Sequence, residues 1–271
     1  MKTFVRLAVP FMLLLGSSCS SESPAPVVEI PPCQLMEQTA SLHYDPVQYP
    51  DLQLKPQTIT TRLEYNDRNA LATVFQTDYA GVYFDRANLK YDGKGLVKEI
   101  VHQYYRYVNE YDGQGKLLKQ MRFAKRMGDL KEEQSGYYTL RYNSQGELTE
   151  AQYFNMQSGQ PVAELIWRYT YVAGDPVGLE QLVPGADSYY HVQMTYDTLH
   201  LPSTPYAHTY FEPLHPPSAH NQLSYTVLEN NPSYPSHTTA YTYNEAGYPV
   251  TATTRYTDGR ELAMTYTYRC K

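Results

Sequence analysis

The chain has no recognisable catalytic signature. No Gly-x-Ser-x-Gly elbow marks a nucleophile among its many serines. No glycine-rich loop runs into a helix to cradle phosphate. Its Asp-Gly pairs lack the ligand run and closing Glu of a calcium loop. Basic residues are also scarce, with 22 Lys and Arg against 28 Asp and Glu. That balance disfavours nucleic acid, which needs a basic footprint, and disfavours electrostatic docking on anionic lipid. There is one Trp, there are three Cys, and no helical period is visible outside the first 18 residues. No catalytic set, metal or cofactor is expected.

Tyrosine is what the chain has in excess, with 29 against 7 Phe. Many of these tyrosines open one phrase: Tyr, then Asp or Asn, two variable residues, Gly. It reads Tyr91-Asp92-Gly93-Lys94-Gly95, Tyr111-Asp112-Gly113-Gln114-Gly115, Tyr142-Asn143-Ser144-Gln145-Gly146 and Tyr243-Asn244-Glu245-Ala246-Gly247. Looser copies lie at Tyr65-Asn66, with Asn69 in the Gly place, at Tyr171 and at Tyr196-Asp197. Asp or Asn suits the first position of a type I turn, where its side chain accepts from local backbone N–H groups. Gly suits the following left-handed bulge position, and Asn is the next best residue there. The phrase therefore predicts a chain of β-hairpins.

The segments between the phrases alternate with period two. Leu165, Trp167, Tyr169 and Tyr171 share a face, opposite Ile166, Arg168 and Thr170. Tyr190, Val192, Met194 and Tyr196 share another, opposite His191, Gln193 and Thr195. Such segments are half-buried antiparallel strands. The phrase tyrosines fall on the apolar face, so they are expected in the core, with hydroxyls reaching polar partners near the sheet rim. Strands after the turns alternate less cleanly: Glu99 and Lys119 share a parity with Val97, Val101, Leu117 and Met121. Taken at face value, those stretches are wet on both sides. The expected fold is all-β, an antiparallel up-and-down meander of roughly 14–16 strands, curled into a barrel or part-barrel.

The chain begins with a short targeting pattern. Lys2 and Arg6 precede an apolar run from Leu7 to Leu15, too short to span a membrane. Leu-Leu-Gly-Ser-Ser-Cys (14–19) resembles the lipobox of bacterial lipoproteins, with its aliphatic residue one place further from the Cys than usual. The resemblance implies cleavage before Cys19 and a lipid on its sulfur, an anchor that holds a domain on the membrane without crossing it. The expected organisation is a signal peptide over 1–18, the lipidated Cys19 and a tether over 19–40, and one β domain over 41–271. The expected location is the outer membrane, on its periplasmic or cell-surface face. Losing Lys2 and Arg6 leaves 20 basic and 28 acidic side chains, a formal charge near −8. Cys33 and Cys270 remain, and an extracytoplasmic setting permits a bridge between the first strand and the last.

Tyr-Thr-Tyr-Asn-Glu-Ala-Gly-Tyr-Pro (241–249) and Leu-Lys-Tyr-Asp-Gly-Lys-Gly-Leu (89–96) resemble the YD repeat of the Rhs and teneurin families. With the lipobox, residues from about 40 to 271 look more like uncharacterised bacterial lipoproteins with YD-like hairpins and a porin-like antiparallel β fold. That resemblance implies a barrel or part-barrel and no activity. A membrane-inserted barrel is the competing reading, but charges interrupt the apolar face.

The irregular stretch from 198 to 222 holds prolines 202, 205, 213, 216 and 217 and His200, His208, His215 and His220, at spacings that match no standard zinc site. Loops this long are often functional. It carries Tyr206, Tyr210 and Phe211, aromatics suited to stacking on a sugar or a protein partner. The leading functional expectation is a non-enzymatic, monomeric envelope lipoprotein that binds a surface glycan or protein or serves structurally. Two alternatives stand beside it. One is a glycan-active enzyme using carboxylates such as Glu212, paired only by the fold. The other is a scaffold carrying lipophilic cargo through a wide, empty, apolar interior.

Overall fold

The computed structural model describes residues 33–44, 57–77, 83–125, 131–185, 188–201, 218–229 and 234–270. They form sixteen strands in chain order. These are β1 (Cys33–His43), β2 (Gln57–Tyr65), β3 (Leu71–Thr77), β4 (Tyr83–Tyr91), β5 (Val97–Val101), β6 (Tyr105–Tyr111), β7 (Leu117–Lys125) and β8 (Glu132–Tyr142). They continue as β9 (Leu148–Gln157), β10 (Gln160–Val172), β11 (Asp175–Leu182), β12 (Ser188–Tyr196), β13 (Gln222–Val227), β14 (His237–Tyr243), β15 (Pro249–Tyr256) and β16 (Glu261–Cys270). Each strand pairs antiparallel with its chain neighbours, and β1 pairs with β16, so the meander closes into a barrel. Cys33 lies opposite Cys270 in that closing pair, and the two sulfurs are bonded. The closed barrel begins at Cys33, so residues 33–40, expected in the tether, belong to β1. Their run of Gln, Glu and Thr shows no apolar period; pairing with β16 from Cys33 and with β2 from Glu37 orders them instead.

The phrase turns act as the sequence predicts. Asp92 Oδ1 accepts from the amides of Lys94 (2.8 Å) and Leu96 (2.9 Å), and the Asp92 amide donates to the Leu96 carbonyl. Gly95 takes φ +82°, and Asn69 holds the same left-handed place at +57°. Asn66, Asp112, Asn143 and Asn244 repeat the pattern. In a meander, every even-to-odd connection lies at one end, so all of these turns crowd one rim.

At each phrase the ladder slips by one residue. Tyr91 pairs Val97 while Lys90 pairs Glu99, leaving Lys98 as an extra residue. Likewise Tyr65, Tyr111, Tyr142 and Tyr243 pair Leu71, Leu117, Leu148 and Pro249, one residue out of step with the pairs before them. A bulge of this kind restarts the alternation. Inward positions after a turn are therefore spaced three apart: Val97 and Ile100, Leu117 and Gln120, Leu148 and Ala151, all buried. This overturns the reading of strands wet on both sides. Glu99 and Lys119 point outward once the bulge is counted, and Lys90 pairs with Glu99 across the ladder at 3.0 Å.

The phrase tyrosines are half-buried and their hydroxyls are latches. Tyr65 donates to the Leu35 carbonyl (2.7 Å), Tyr91 to Leu71 (2.5 Å), Tyr111 to Val97 (2.7 Å), Tyr142 to Leu117 (2.9 Å) and Tyr196 to Pro176 (2.9 Å). Each reaches the start of the strand before its own, tying one rim hairpin to the previous one. Tyr268 does the same with Pro249 (2.8 Å). Tyr171 departs from this: its buried hydroxyl, beside the Leu148 backbone, makes no latch of good geometry. Burial raises the hydroxyl pKa of Tyr142 to about 12, so it stays a donor at any physiological pH.

The apolar face is the inner one. Side chains on a convex outer wall splay apart and cannot cover one another, yet Ala87, Ile100 and Ala151 are completely buried. Three apolar clusters fill the interior, centred on Leu71 and Ile100, on Leu148 and Trp167, and on Tyr190 and Val192. The buried Trp167 indole donates to Gln181 Oε1 on β11 at 2.9 Å. The outer wall carries the charges. One chain of ion pairs runs across neighbouring strands from Arg141 through Glu150, Arg168, Glu180 and His191 to Glu229.

Candidate functional site

The connection from β12 to β13 is a phrase turn with an insertion. In an ordinary copy, Asp112 Oδ1 accepts from the second and fourth residues after it, and the Asp112 amide donates to the fourth. Asp197 Oδ1 likewise accepts from Leu199, the second residue after it (2.9 Å). Its other amide donor is Asn221 (3.1 Å), 24 residues on, and the Asp197 amide donates to the Asn221 carbonyl. Asn221 thus takes the fourth-residue place, and the intervening chain is looped out of a turn whose hydrogen bonds are kept.

The stem of this insertion is tightly bonded. Asn221, fully buried, donates through Nδ2 to Asp197 and to the His200 carbonyl (2.9 Å). Tyr243 of the neighbouring hairpin donates to Asp197 Oδ2. Burial opposes ionisation of Asp197, but the Tyr243 hydroxyl, the Leu199 amide and Asn221 outweigh it and hold the carboxyl below its ordinary value. On the other side, the buried Asp175 accepts from the amides of Ala219 (2.8 Å) and His220 (3.0 Å) and meets His220 Nδ1 at 2.8 Å. The His200 ring stacks on Tyr248 at 4.8 Å. Two carboxylates from adjacent strands thus clamp both ends of the insertion at the turn rim.

Of the residues singled out by sequence, Cys33 and Cys270 meet in the closing pair, and His200 and His220 sit in the stem. Cys19, Tyr206, Tyr210, Phe211, Glu212, His208 and His215 lie outside the described residues. Among the described residues no group of three His, Cys, Asp or Glu is placed to hold a metal. The sequence reading missed the clamp residues Asp175 and Asn221. Tyr196-Asp197 was the available signal, because His200 stands where the regular copies have Gly three residues after the Asp or Asn.

A second concavity lies on the outer wall over β10, β11 and β12. It is an open depression of about 830 Å³, bordered by Arg168, Thr170, Gly178, Glu180, His191 and Gln193. Gly178 pairs with Thr170 on one side and Gln193 on the other, and a Cβ there would collide with the Thr170 hydroxyl. The missing side chain is what gives the depression its depth. At one edge the chain after β13 continues alongside β12, the Leu228 amide donating to the His191 carbonyl. The His191 amide donates to Glu229 Oε2 (2.7 Å), and His191 Nδ1 meets Glu229 Oε1 at 2.6 Å. The hydrogen bond that Glu229 accepts raises the His191 pKa above the ordinary value, with Glu180 adding to it, and the bonds from His191 lower that of Glu229.

No protein-family model matches the chain, and no curated protein matches it in sequence. Solved structures do resemble it. A porin-like protein from Bacteroides uniformis superposes with a TM-score of 0.59 at 12% identity, covering 87% of this chain and 98% of that one. A porin-like protein from Bacteroides vulgatus gives 0.49 at 12% identity, over 87% of this chain and 98% of the other. A TcdB2–TccC3 structure gives 0.39 at 11% identity, over 88% of this chain and 12% of that one. The first of these establishes a shared fold: this chain has a porin-like antiparallel β-barrel.

Proposed function

We propose that this protein is a lipid-anchored, non-enzymatic binding module of the bacterial outer membrane, presenting the 198–222 insertion to a surface glycan or protein. The observation that carries the reading is the clamped insertion. One turn of a repeated series is interrupted, its hydrogen bonds are retained by Asp197 and Asn221, and two carboxylates fix both ends. A rigid scaffold holding one elaborated loop is the usual arrangement for recognition. Tyr206, Tyr210 and Phe211 in that loop are the contact residues, through stacking of the kind aromatic side chains offer to sugars and proteins.

The lipobox-like start supports the anchor, and the porin-like barrel supports an envelope location. The outer wall supports a barrel standing in water. Arg168 is 53% exposed and Arg141 77% on that wall, whereas a transmembrane barrel turns an apolar band outward and its polar face in. The filled interior speaks against a carrier of lipophilic cargo. Inward residues such as Ile100 are shut off from solvent. Glu180 is the one carboxylate among the residues bordering the outer depression, which offers no second carboxylate to form the pair a glycosidase uses.

The test is a broad glycan panel and an envelope-protein pull-down with the full-length exported protein, repeated with Tyr206, Tyr210 and Phe211 changed to Ala. Loss of a specific partner, with the barrel still folded, is the expected result. Undiminished binding by the triple variant would show the loop assignment to be wrong.

A further inference from the structure

The outer depression over Gly178 has features that a supporting wall does not require. It is about 830 Å³, inside the range of roughly 300–1,000 Å³ found for small-molecule sites. It is deepened by a glycine whose replacement would strike Thr170. Its border is a mesh of planar hydrogen-bonding groups: the guanidinium of Arg168, the carboxylate of Glu180, the imidazole of His191 and the amide of Gln193. With His191 protonated, the carboxylates Glu150, Glu180 and Glu229 are matched by Arg141, Arg168 and His191. Arg168 sits between Glu150 (3.2 Å) and Glu180 (3.6 Å), and His191 between Glu180 (3.4 Å) and Glu229 (2.6 Å). An anion entering the site meets Glu180, and a cation meets Arg168. Neither sign is favoured. Paired donors and acceptors without a net field suit adjacent hydroxyls, which donate and accept at once. Leu228, 55% exposed at one edge, offers an apolar contact for the C–H face of a sugar ring.

We infer that this depression is a binding site for neutral oligosaccharide, with Arg168, Glu180, His191 and Gln193 as hydroxyl partners. It is separate from the loop at the turn rim, and either assignment can fail alone. The arrangement of strands makes the site possible. Arg168 and Glu180 are directly opposed across β10 and β11, and Glu180 and His191 across β11 and β12, so the partners stand in one row.

The experiment is isothermal titration calorimetry of the full-length exported protein with neutral hexasaccharides (malto-, cello-, laminari- and mannohexaose) and with oligogalacturonide as the charged control. Gln193→Leu, a change on the open wall, is compared with Gly178→Ala, and with the loop variant lacking Tyr206, Tyr210 and Phe211. At least one neutral hexasaccharide is expected to bind, tenfold or more weakly to Gln193→Leu and to Gly178→Ala. Gln193→Leu also covers the case in which Gly178→Ala does not fold. Three outcomes overturn the inference: no neutral ligand binds, the charged control binds better, or Gln193→Leu binds as the unchanged protein does. If affinity survives Gln193→Leu but vanishes in the loop variant, this site is rejected and the loop reading stands.

Discussion

At the scale of single residues, the phrase tyrosines show why a polar aromatic is used where Phe would bury as well. The ring packs in the inner layer and the hydroxyl satisfies a carbonyl at the start of the neighbouring strand, next to a bulge. Tyr91→Phe keeps the ring and leaves the Leu71 carbonyl without its partner. The expected cost is about 1 kcal/mol in urea unfolding. Tyr104→Phe, on a side chain 46% exposed, is expected to cost nothing measurable, and a comparable loss there would remove the latch argument. His191 supplies a pH prediction. Its pKa is raised, chiefly by its hydrogen bond to Glu229. The pairing therefore stabilises the fold fully below the unfolded value near 6.5 and ceases to do so as pH rises through the higher folded value. An NMR titration is expected to place His191 above about 6.5, and Glu229→Gln to lower it. No fall in that variant would disconnect the shift from Glu229.

At the scale of elements, the bulges decide what the strands bury. One extra residue after each phrase turn moves the inward set from every second residue to a three-residue step and back. Period-two counting across the turn therefore misplaces Glu99 and Lys119, although it works within β10 and β12. The turn positions themselves were legible, because Asp, Asn and Gly occupy them for local backbone reasons. The insertion follows the same logic. Replacing residues 200–220 by a single Gly restores Asp197, two residues, Gly, then Asn221. That shortened protein is expected to fold, because the turn bonds of Asp197 already exist, but with a lowered thermal midpoint, because Asp175 loses its donors Ala219 and His220. Failure to fold would mean that the insertion holds the barrel together. Asn221→Ala in the full chain is expected to destabilise by about 1–3 kcal/mol, since it removes the side-chain donor of the His200 carbonyl and one of the several donors of Asp197. Equilibrium unfolding reads that loss directly.

At the scale of the whole molecule, closure joins a strand near the chain start to the last one. The Cys33–Cys270 bond spans 237 residues. Loop entropy puts its contribution on the order of 4–5 kcal/mol. Cys33→Ser with Cys270→Ser is expected to lower the unfolding midpoint accordingly while retaining the barrel, since β1 and β16 are also joined along their length. A fold lost outright would show that the ladder alone cannot hold the seam.

The sequence by itself determined the class of fold, the hairpin turns and the inward placement of the phrase tyrosines. All three depend on residues within one or two hairpins, where turn chemistry and alternation act locally. Only the tertiary structure decided that sixteen strands close, that β1 begins at Cys33, that Asn221 completes a turn begun at Asp197, and that Arg168, Glu180 and His191 stand in a row over Gly178. These are matters of register between segments far apart in the chain. Register is set by the sum of bulges, latches and packing around the whole barrel, and no short stretch of sequence contains that sum.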